Sequence, residues 1–138
     1  MTDRRRGKAP KSIKGTIADV PPVRDRNRDT PKFCLRHLQR GYDVDNLPKE
    51  QRAAFAVALQ RRAAMTWRDI VMAPRHGLGT ENLPREQIKA KIPAAFEDSE
   101  EFLVLRYDGK LPMAGVRAGE VLHILWIEKH FGDLYDHG

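Results

Sequence analysis

The 138-residue chain has one cysteine and no long apolar run, and each scarcity removes a class of protein. Cys34 alone cannot form an internal disulfide framework, so nothing indicates an oxidising compartment. The apolar runs are far shorter than the roughly 20 residues that cross a bilayer. The basic first residues also lack the apolar stretch of a secretory signal. We therefore expect a cytoplasmic protein that makes no membrane contact.

Common catalytic and cofactor motifs are missing as well. The loop Arg75–Gly79 has two glycines but neither the Gly-Lys-Ser/Thr ending of a Walker loop nor the long helix of a dinucleotide fingerprint. No Ser-His-Asp arrangement can be assembled. His130, Tyr135 and His137 are spread across a predicted turn, too loosely for a metal site. The sequence therefore predicts neither a metal nor a cofactor.

The net charge of +6 is concentrated at the N-terminus. Residues 1–30 hold nine Lys/Arg and four Asp, whereas residues 31–138 hold 16 Lys/Arg and 15 acids. The first segment has too few large apolar side chains to offset the entropy lost on ordering. We predict a disordered basic tail over residues 1–30 and a single α+β domain over residues 31–138. The tail could serve as a solubilising extension, a nucleic-acid contact or a segment delivered to a protein partner.

Helices are predicted in the first half of the domain. Residues 33–39 alternate as a strand would, although a short helix fits almost as well. Asn46 can cap a helix that runs to about Ala64. The sequence Thr66–Asp69 has the form of a capping box and starts a short helix that Pro74 stops. A further helical turn is predicted from Pro84 to Lys89.

An antiparallel sheet is predicted in the last third. The predicted strands are Phe102–Tyr107, Leu111–Arg117, Val121–Ile127 and Asp133–His137. Asp108-Gly109 is a strong hairpin signal, and Pro112 implies an edge or a bulge. Val121–Ile127 is apolar on both faces, which predicts a central strand covered on both sides.

This sheet would carry cations, imidazoles and a phenol, which suits a phosphate-rich ligand and points toward RNA. The candidate catalytic residues are His76, Arg106, Arg117, His123, Tyr135 and His137. In a metal-independent ribonuclease, His123 or His76 would remove the 2′-hydroxyl proton, while Tyr135 or His137 would orient or protonate the leaving group. Ordinary roles compete with these: His123 lies in phase with Leu125 and Ile127 and also fits a core histidine.

Two further groups could contact phosphate. Arg106 and Arg117 lie on paired strands, and two convergent guanidiniums could hold a scissile phosphate. Arg75 with Gly77 and Gly79 could form a phosphate-contact loop, because glycines let backbone amides approach an anion. The simpler alternatives are two surface arginines and a helix-terminating turn.

The segment from Lys110 to Tyr135 resembles the closing hairpins of small bacterial toxins. The order of helices first and antiparallel sheet last is similar to the RelE/ParE-like toxins of toxin–antitoxin systems. The resemblance implies a RelE-like α+β fold, with N-terminal helices on a small C-terminal antiparallel sheet, and a cognate antitoxin partner. It leaves the activity open, because RelE-like members cleave ribosome-bound mRNA and ParE-like members act on a replication enzyme. It carries over no catalytic residue.

A non-enzymatic alternative is a toxin that blocks DNA replication by binding a replication protein such as the sliding clamp. The segment Gln51-Arg-Ala-Ala-Phe55 is similar to the Gln-x-x-Leu-Phe peptides that bind bacterial sliding clamps, although a helical core segment explains these residues more simply. The nearly neutral body favours a protein target over RNA. A third alternative is a phage or accessory protein without toxicity.

Overall fold

The computed structural model describes residues 26–74 and 77–137, which form a mixed α+β fold. The helices are α1 (Lys49–Ala63) and α2 (Trp67–Met72), and the strands are β1 (Lys32–Cys34), β2 (Thr80–Pro84), β3 (Glu101–Asp108), β4 (Leu111–Ala118) and β5 (Val121–Ile127). The strands form one sheet in the order β1-β5-β4-β3-β2. Short 3-10 turns lie at Arg26–Arg28, Val44–Asn46, Arg85–Gln87 and Ala94–Phe96.

The sheet is mixed rather than purely antiparallel. Strands β2 to β5 pair antiparallel, but β1 pairs parallel with β5, with Phe33 opposite Leu122. The prediction of an antiparallel sheet was therefore wrong for β1. The reason is topological: the chain crosses over through both helices and three strands before β5 returns beside β1. For residues 33–39 the sequence left a strand or a short helix open, and the start of this segment is a strand.

The antiparallel meander β3–β4–β5 was predicted correctly. Gly109 and Gly119 turn the two hairpins with φ of 59° and 65°, a region that favours glycine because it has no Cβ. Pro112 lies opposite Arg106, beside a register shift between Arg106 and Asp108, so the predicted bulge is confirmed. Strand β5 lies between β1 and β4 and is mostly buried, as its continuous apolar sequence indicated.

A second register shift corrects the face assignment of β5. Ala114 pairs with Trp126, but the next residue, Gly115, pairs with Ile124, so Leu125 is an extra residue. Leu125 and Trp126 consequently pack in the same core, and Ile127 packs in the opposite one. His123 and Ile127 are therefore not in phase, contrary to the prediction.

Both predicted helices form, with one cap different from expectation. At α2, Asp69 N–H donates to Thr66 Oγ1 and Thr66 N–H donates to Asp69 Oδ2, each at 3.2 Å, which confirms the capping box. At α1 the N-cap position is Pro48, and no side chain caps the helix. Asn46 instead donates its side-chain amide to the Gly41 carbonyl at 2.6 Å.

Two strand assignments also need correction. Strand β2 was not predicted; it forms an edge and ends at Pro84, which has no N–H to offer a ladder. The residues from Asp133 to His137 form turns and bends instead of a strand. The reason is that Leu134 donates its N–H to the Glu128 carboxylate and accepts from the Lys89 amide, so neither group is left for strand pairing.

The sheet is covered on both faces. The helix-side core includes Phe55, Trp67, Ile70, Leu105, Met113, Leu122, Ile124 and Ile127. The far-side core includes Leu83, Phe102, Val104, Ala114, Leu125, Trp126, Leu134 and Tyr135, and side chains of the connection before β3 pack against it. The far core thus ties the C-terminal segment to the sheet.

The predicted tail is only partly within the described residues. Residues 1–25 lie outside them. Residues 26–30 belong to the fold, because the Asp29 carbonyl accepts from Trp67 N–H at 2.9 Å, so the predicted boundary at residue 30 was a few residues too late. Neither described helix has the length and apolar character needed to cross a membrane.

Candidate functional site

A cleft of about 420 Å³ lies between β2, the β3–β4 hairpin and the C-terminal segment. We call it the C-terminal cleft. The ionisable and phenolic side chains that line it are Glu81, Arg106, Lys110, Tyr135, Asp136 and His137. It thus gathers two cations, two carboxylates, an imidazole and a phenol from three different parts of the chain.

The cleft is built on a buried carboxylate, that of Glu128. Glu128 follows β5 directly and is completely buried. Its Oε2 accepts from Leu134 N–H at 2.8 Å, and its Oε1 lies 2.9 Å from His137 Nε2. Buried carboxylates require such partners because desolvation is costly. Glu128 therefore fixes both the path of the C-terminal segment and the position of the His137 ring.

The His137 imidazole is held from three sides. Its ring stacks on Phe131 with a centroid separation of 3.8 Å and contacts Tyr135 at 4.1 Å. Its side chain is 10% exposed, so it reaches solvent only at one part of the ring. An ionised Glu128 accepts the Nε2 proton, which leaves the lone pair on Nδ1 for a ligand.

Lys89 ties the same segment down from outside. Its backbone N–H donates to the Leu134 carbonyl at 2.7 Å, and its Nζ donates to the Gly132 carbonyl at 2.9 Å. Its Nζ also lies 2.7 Å from Asp136 Oδ1. This hydrogen bond lowers the pKa of Asp136 and raises the pKa of Lys89. Asp136 is therefore paired with Lys89 and is not available to a ligand as a free carboxylate.

Arg106 and Lys110 supply positive charge. Arg106 lies on β3, and within the described residues its guanidinium has no hydrogen-bond or ion-pair partner. Lys110 is exposed at the adjacent hairpin. A half-buried arginine with free donors can hold a phosphate oxygen pair, and a nearby lysine adds a second charge.

The structure brings together only some of the predicted catalytic residues. Arg106, Tyr135 and His137 line the same cleft. Arg117 does not: its guanidinium stacks over Trp67 at 4.3 Å in the helix-side core and donates to Asn27 Oδ1 at 2.7 Å. On β3, Arg106 lies between Leu105 and Tyr107, which belong to the helix-side core, so its side chain faces the opposite side of the sheet. The predicted pair of convergent arginines is therefore wrong.

His123 is also remote from the cleft. It pairs with Cys34 across β1 and β5, and its ring clusters with those of His37 and Phe96 at 5.8 and 5.7 Å. Its Nδ1 is buried without a hydrogen-bond partner in the described part of the chain. This surrounding is closer to the core-histidine alternative than to a general base, and none of the cleft residues contacts it.

The predicted phosphate loop is not arranged for an anion. Arg75 and His76 lie outside the described residues. The amides of Gly77 and Gly79 both donate to the Pro74 carbonyl at 3.0 Å, so neither is free. A Cβ at Gly79 would overlap the Ala73 carbonyl, which explains the glycine by backbone packing. The glycines therefore act as the helix-terminating turn that was the simpler alternative.

Gln51 and Phe55 are not presented to a partner. Phe55 is buried in α1 and meets Tyr107 edge-on at 6.3 Å. Gln51 donates to the Lys129 carbonyl at 3.1 Å, and its Oε1 lies 3.3 Å from the Tyr107 hydroxyl. The proposed clamp-binding peptide was therefore wrong in this conformation, because both side chains serve internal contacts.

Sequence reasoning missed Glu128 and Lys110. The available signal for Glu128 was its position directly after a strand that is apolar on both faces, where an acid that stays in the interior requires a donor. Lys110 follows the Asp-Gly turn and looked like an ordinary hairpin lysine. Lys110 shares the cleft with Arg106 because of the β3–β4 register shift. The exact position of that shift cannot be predicted from the sequence.

The chain matches no known protein family, and neither a curated protein nor a solved structure is similar to it.

Proposed function

We propose that this protein is a metal-independent endoribonuclease and the toxin of a toxin–antitoxin pair, acting in the cytoplasm. The observation that supports the proposal best is the contact of 2.9 Å between buried Glu128 and His137 in the cleft that Arg106 lines. A carboxylate that orients an imidazole makes that imidazole an effective base. The cleft offers no serine or cysteine nucleophile among the residues that line it, so the nucleophile would come from the substrate.

RNA supplies such a nucleophile in its 2′-hydroxyl. His137 Nδ1 would take the 2′-hydroxyl proton while the oxygen attacks the adjacent phosphorus. The bond from phosphorus to the 5′-oxygen breaks, which leaves a 2′,3′-cyclic phosphate. The imidazolium can return its proton to the departing 5′-oxygen, so one residue balances the proton transfer.

The remaining lining residues fit the same reaction. Arg106 and Lys110 would bind the non-bridging phosphate oxygens and stabilise the charge that develops on them. Tyr135 packs against His137 and would restrict the ring to one orientation. Arg117 and His123 have no part in this arrangement, in contrast to the roles the sequence suggested.

The order of elements supports a RelE-like fold as part of the proposal. Two helices precede four of the five strands, and the last three strands form an antiparallel meander. The C-terminal segment closes a cleft on that sheet, into which Arg106 and Lys110 bring positive charge. Such a toxin would be held inactive by a cognate antitoxin. The replication-protein alternative has less support, because the residues that suggested it are packed inside.

Cleavage of a short RNA in the presence of EDTA tests the activity. We expect products that end in a 2′,3′-cyclic phosphate, and no cleavage where a 2′-deoxy nucleotide replaces the nucleophile. His137→Ala and Arg106→Ala should each lower the rate by about 100-fold or more, the range of general-acid–base and phosphate-stabilising residues. His130→Ala is the matched control, since His130 is exposed and does not line the cleft. Equal rates for the His130 and His137 variants would contradict the assignment.

Expression in bacteria without a neighbouring gene tests the toxin role. Growth should stop with the wild-type chain and continue with His137→Ala. Growth arrest by both proteins would show toxicity that does not depend on the cleft and would favour a binding mechanism. Normal growth with the wild-type chain, together with active RNA cleavage in vitro, would leave a ribonuclease that is not a toxin.

A further inference from the structure

A second cavity, on the helix side of the sheet, contains a buried cation that no carboxylate of the described residues contacts. This α1 cavity has a volume of about 530 Å³ and lies between α1, the turn at Gly77 and Leu78, and the β3–β4 hairpin. Arg61 and Arg62 both line it, and Arg62 is only 1% exposed. A fully buried guanidinium is uncommon unless it is paired.

The contacts of Arg62 are all with backbone oxygens. Its Nη1 donates to the Ala58 carbonyl at 3.2 Å, and its Nη2 donates to the Arg106 carbonyl at 2.9 Å and lies 3.5 Å from the Gly77 carbonyl. Its Nε is buried and has no partner within the described residues. None of those residues places a carboxylate on the guanidinium. Carbonyl dipoles therefore satisfy part of the hydrogen bonding and leave the charge uncompensated.

The neighbouring charge makes the imbalance larger. Arg61 is exposed at the same cavity, and burial, together with the charge of Arg61, lowers the pKa of Arg62 to about 10. Among the described residues that line the cavity, Asp108 is the one acid, and it lies on the hairpin side. A side chain needed only to join two carbonyls could be a neutral amide. The presence of a costly buried charge is explained if an anion completes the site.

We propose that the α1 cavity binds a small phosphate monoester whose body carries a flat aromatic ring, such as a nucleoside 5′-monophosphate. The phosphate would bind to the exposed Arg61. The buried Arg62 would add a second positive charge to the site through its field. The body would lie against the apolar wall formed by Ala54, Val57 and Leu78. The volume is in the range of small-molecule sites, which is about 300–1,000 Å³. This site lies on the opposite face of the sheet from the C-terminal cleft, although Arg106 lines both, with its backbone carbonyl bonded to Arg62 in the α1 cavity. The proposal does not depend on the ribonuclease proposal.

Titration of the full chain with adenosine 5′-monophosphate, followed by amide NMR, tests the site. We expect saturable shifts of the amide signals at Leu78 and at the hairpin residues 107–109, which line the α1 cavity and not the C-terminal cleft. Inorganic phosphate should bind more weakly because it lacks the body, and adenosine should not bind because it lacks the charge. If the amide signals do not shift at ligand concentrations up to roughly 10 mM, which is above the Kd of weak specific complexes, the proposal is overturned. Shifts confined to the C-terminal cleft would overturn it too.

Three variants separate the anion site from a structural role of Arg62. Arg61→Gln removes an exposed charge without threatening the fold and should weaken binding about tenfold, the effect of removing one charge-assisted hydrogen bond. Arg62→Met should abolish binding, provided that its circular dichroism is native. Arg68→Gln on α2 is the matched control, because Arg68 is exposed and does not line the cavity. Binding that is unchanged in Arg61→Gln would overturn the proposal even if Arg62→Met does not fold.

Discussion

At the scale of single residues, Glu128 determines how the C-terminal cleft works. Its carboxylate meets one backbone donor and one imidazole, so it combines a structural and an electrostatic role. A carboxylate can serve both partners at once, whereas an amide has only one accepting oxygen. The two roles can therefore be separated by a substitution that keeps the volume of the side chain.

We predict that Glu128→Gln lowers RNA cleavage more than it lowers stability. The amide can still accept from Leu134 N–H, but it cannot bind the His137 imidazolium as a charge. The rate should fall by about 100-fold or more, and the free energy of unfolding by about 1–3 kcal/mol. Cleavage assays and urea unfolding measure the two effects. A decrease in rate that only follows the unfolded fraction would show that Glu128 is purely structural.

Arg62 gives a prediction about pH. Burial lowers its pKa to about 10, whereas an unfolded arginine keeps its proton to above pH 12. Between these values the unfolded chain binds more protons, so this residue makes stability rise with pH. The free-energy cost of burying the charged form of Arg62 is complete at neutral pH, and it decreases as the pH rises through about 10.

A comparison of wild type with Arg62→Met isolates that contribution, because the other groups titrating near pH 10 cancel. The stability of wild type relative to the variant should increase by about 1 kcal/mol between pH 8 and pH 10.5. Urea unfolding at the two pH values measures it, with Arg68→Met as the exposed control. A relative stability that stays constant would mean that Arg62 keeps an ordinary pKa in the fold.

At the scale of elements, the bulge between β4 and β5 decides which side chains face each core. Gly115 lies at this register shift, and a Cβ there would overlap the His123 carbonyl. The close approach of the two strands therefore depends on glycine. Leu125 and Trp126 pack in one core because of it.

Gly115→Ala should therefore be strongly destabilising. The added methyl must push the strands apart, and backbone cannot move as cheaply as a flexible side chain; we expect a decrease of about 2–4 kcal/mol in the free energy of unfolding. Gly109→Ala is the control. Its added Cβ meets no atom within 4 Å, so the variant should lose stability only through the backbone φ of 59°. Thermal unfolding of both variants checks the difference. Equal melting temperatures would show that the bulge can relax.

Local signals were enough to predict most elements. The capping box at Thr66, the Asp108-Gly109 turn and the apolar run of β5 each act within a few residues, and each gave the correct element. Strand β2 has no such pattern: its sequence Thr-Glu-Asn-Leu-Pro has only one buried residue, because it is an edge. The parallel pairing of β1 depends on partners about 90 residues away and cannot be read from local sequence.

The candidate site was only half predictable for the same reason. Tyr135 and His137 are close in sequence, and Arg106 joins them through β3. The predicted partner of Arg106, Arg117, is on the other face because strand register, and not residue type, decides which side chains meet. Glu128 could have been proposed from its position directly after the apolar strand β5, because a charge that is buried there needs a hydrogen-bond donor.

At the scale of the whole molecule, the charge is unevenly divided between tail and body. Residues 31–138 are nearly neutral, and seven of the 25 Lys/Arg lie in residues 1–25. Electrostatic binding to RNA backbone is long-ranged and does not need a specific site. Under the proposed function, we therefore expect RNA to be captured by residues 1–25 and cleaved in the C-terminal cleft.

Deletion of residues 1–25 should weaken RNA retention at low salt and leave the cleavage step intact. The slope of log affinity against log salt should fall by several units, since each phosphate that is no longer neutralised reduces it by about 0.7 for single-stranded RNA. Filter binding over a salt series and single-turnover cleavage at saturating enzyme measure the two quantities. A deletion that abolishes single-turnover cleavage would place part of the active site in the tail.

The parallel pairing of β1 has a consequence for how the molecule avoids self-association. Strand β5 is apolar on both faces. In the described part of the chain its outer edge is covered by the segment from Lys32 to Tyr42, through bonds such as Gln39 N–H to the Leu125 carbonyl at 2.8 Å. If this covering segment detaches, an uncharged strand edge becomes a template for other chains. The segment thus protects the edge of β5 from pairing with other chains. We expect its removal to cause fibril formation under conditions in which the rest of the fold has not yet unfolded.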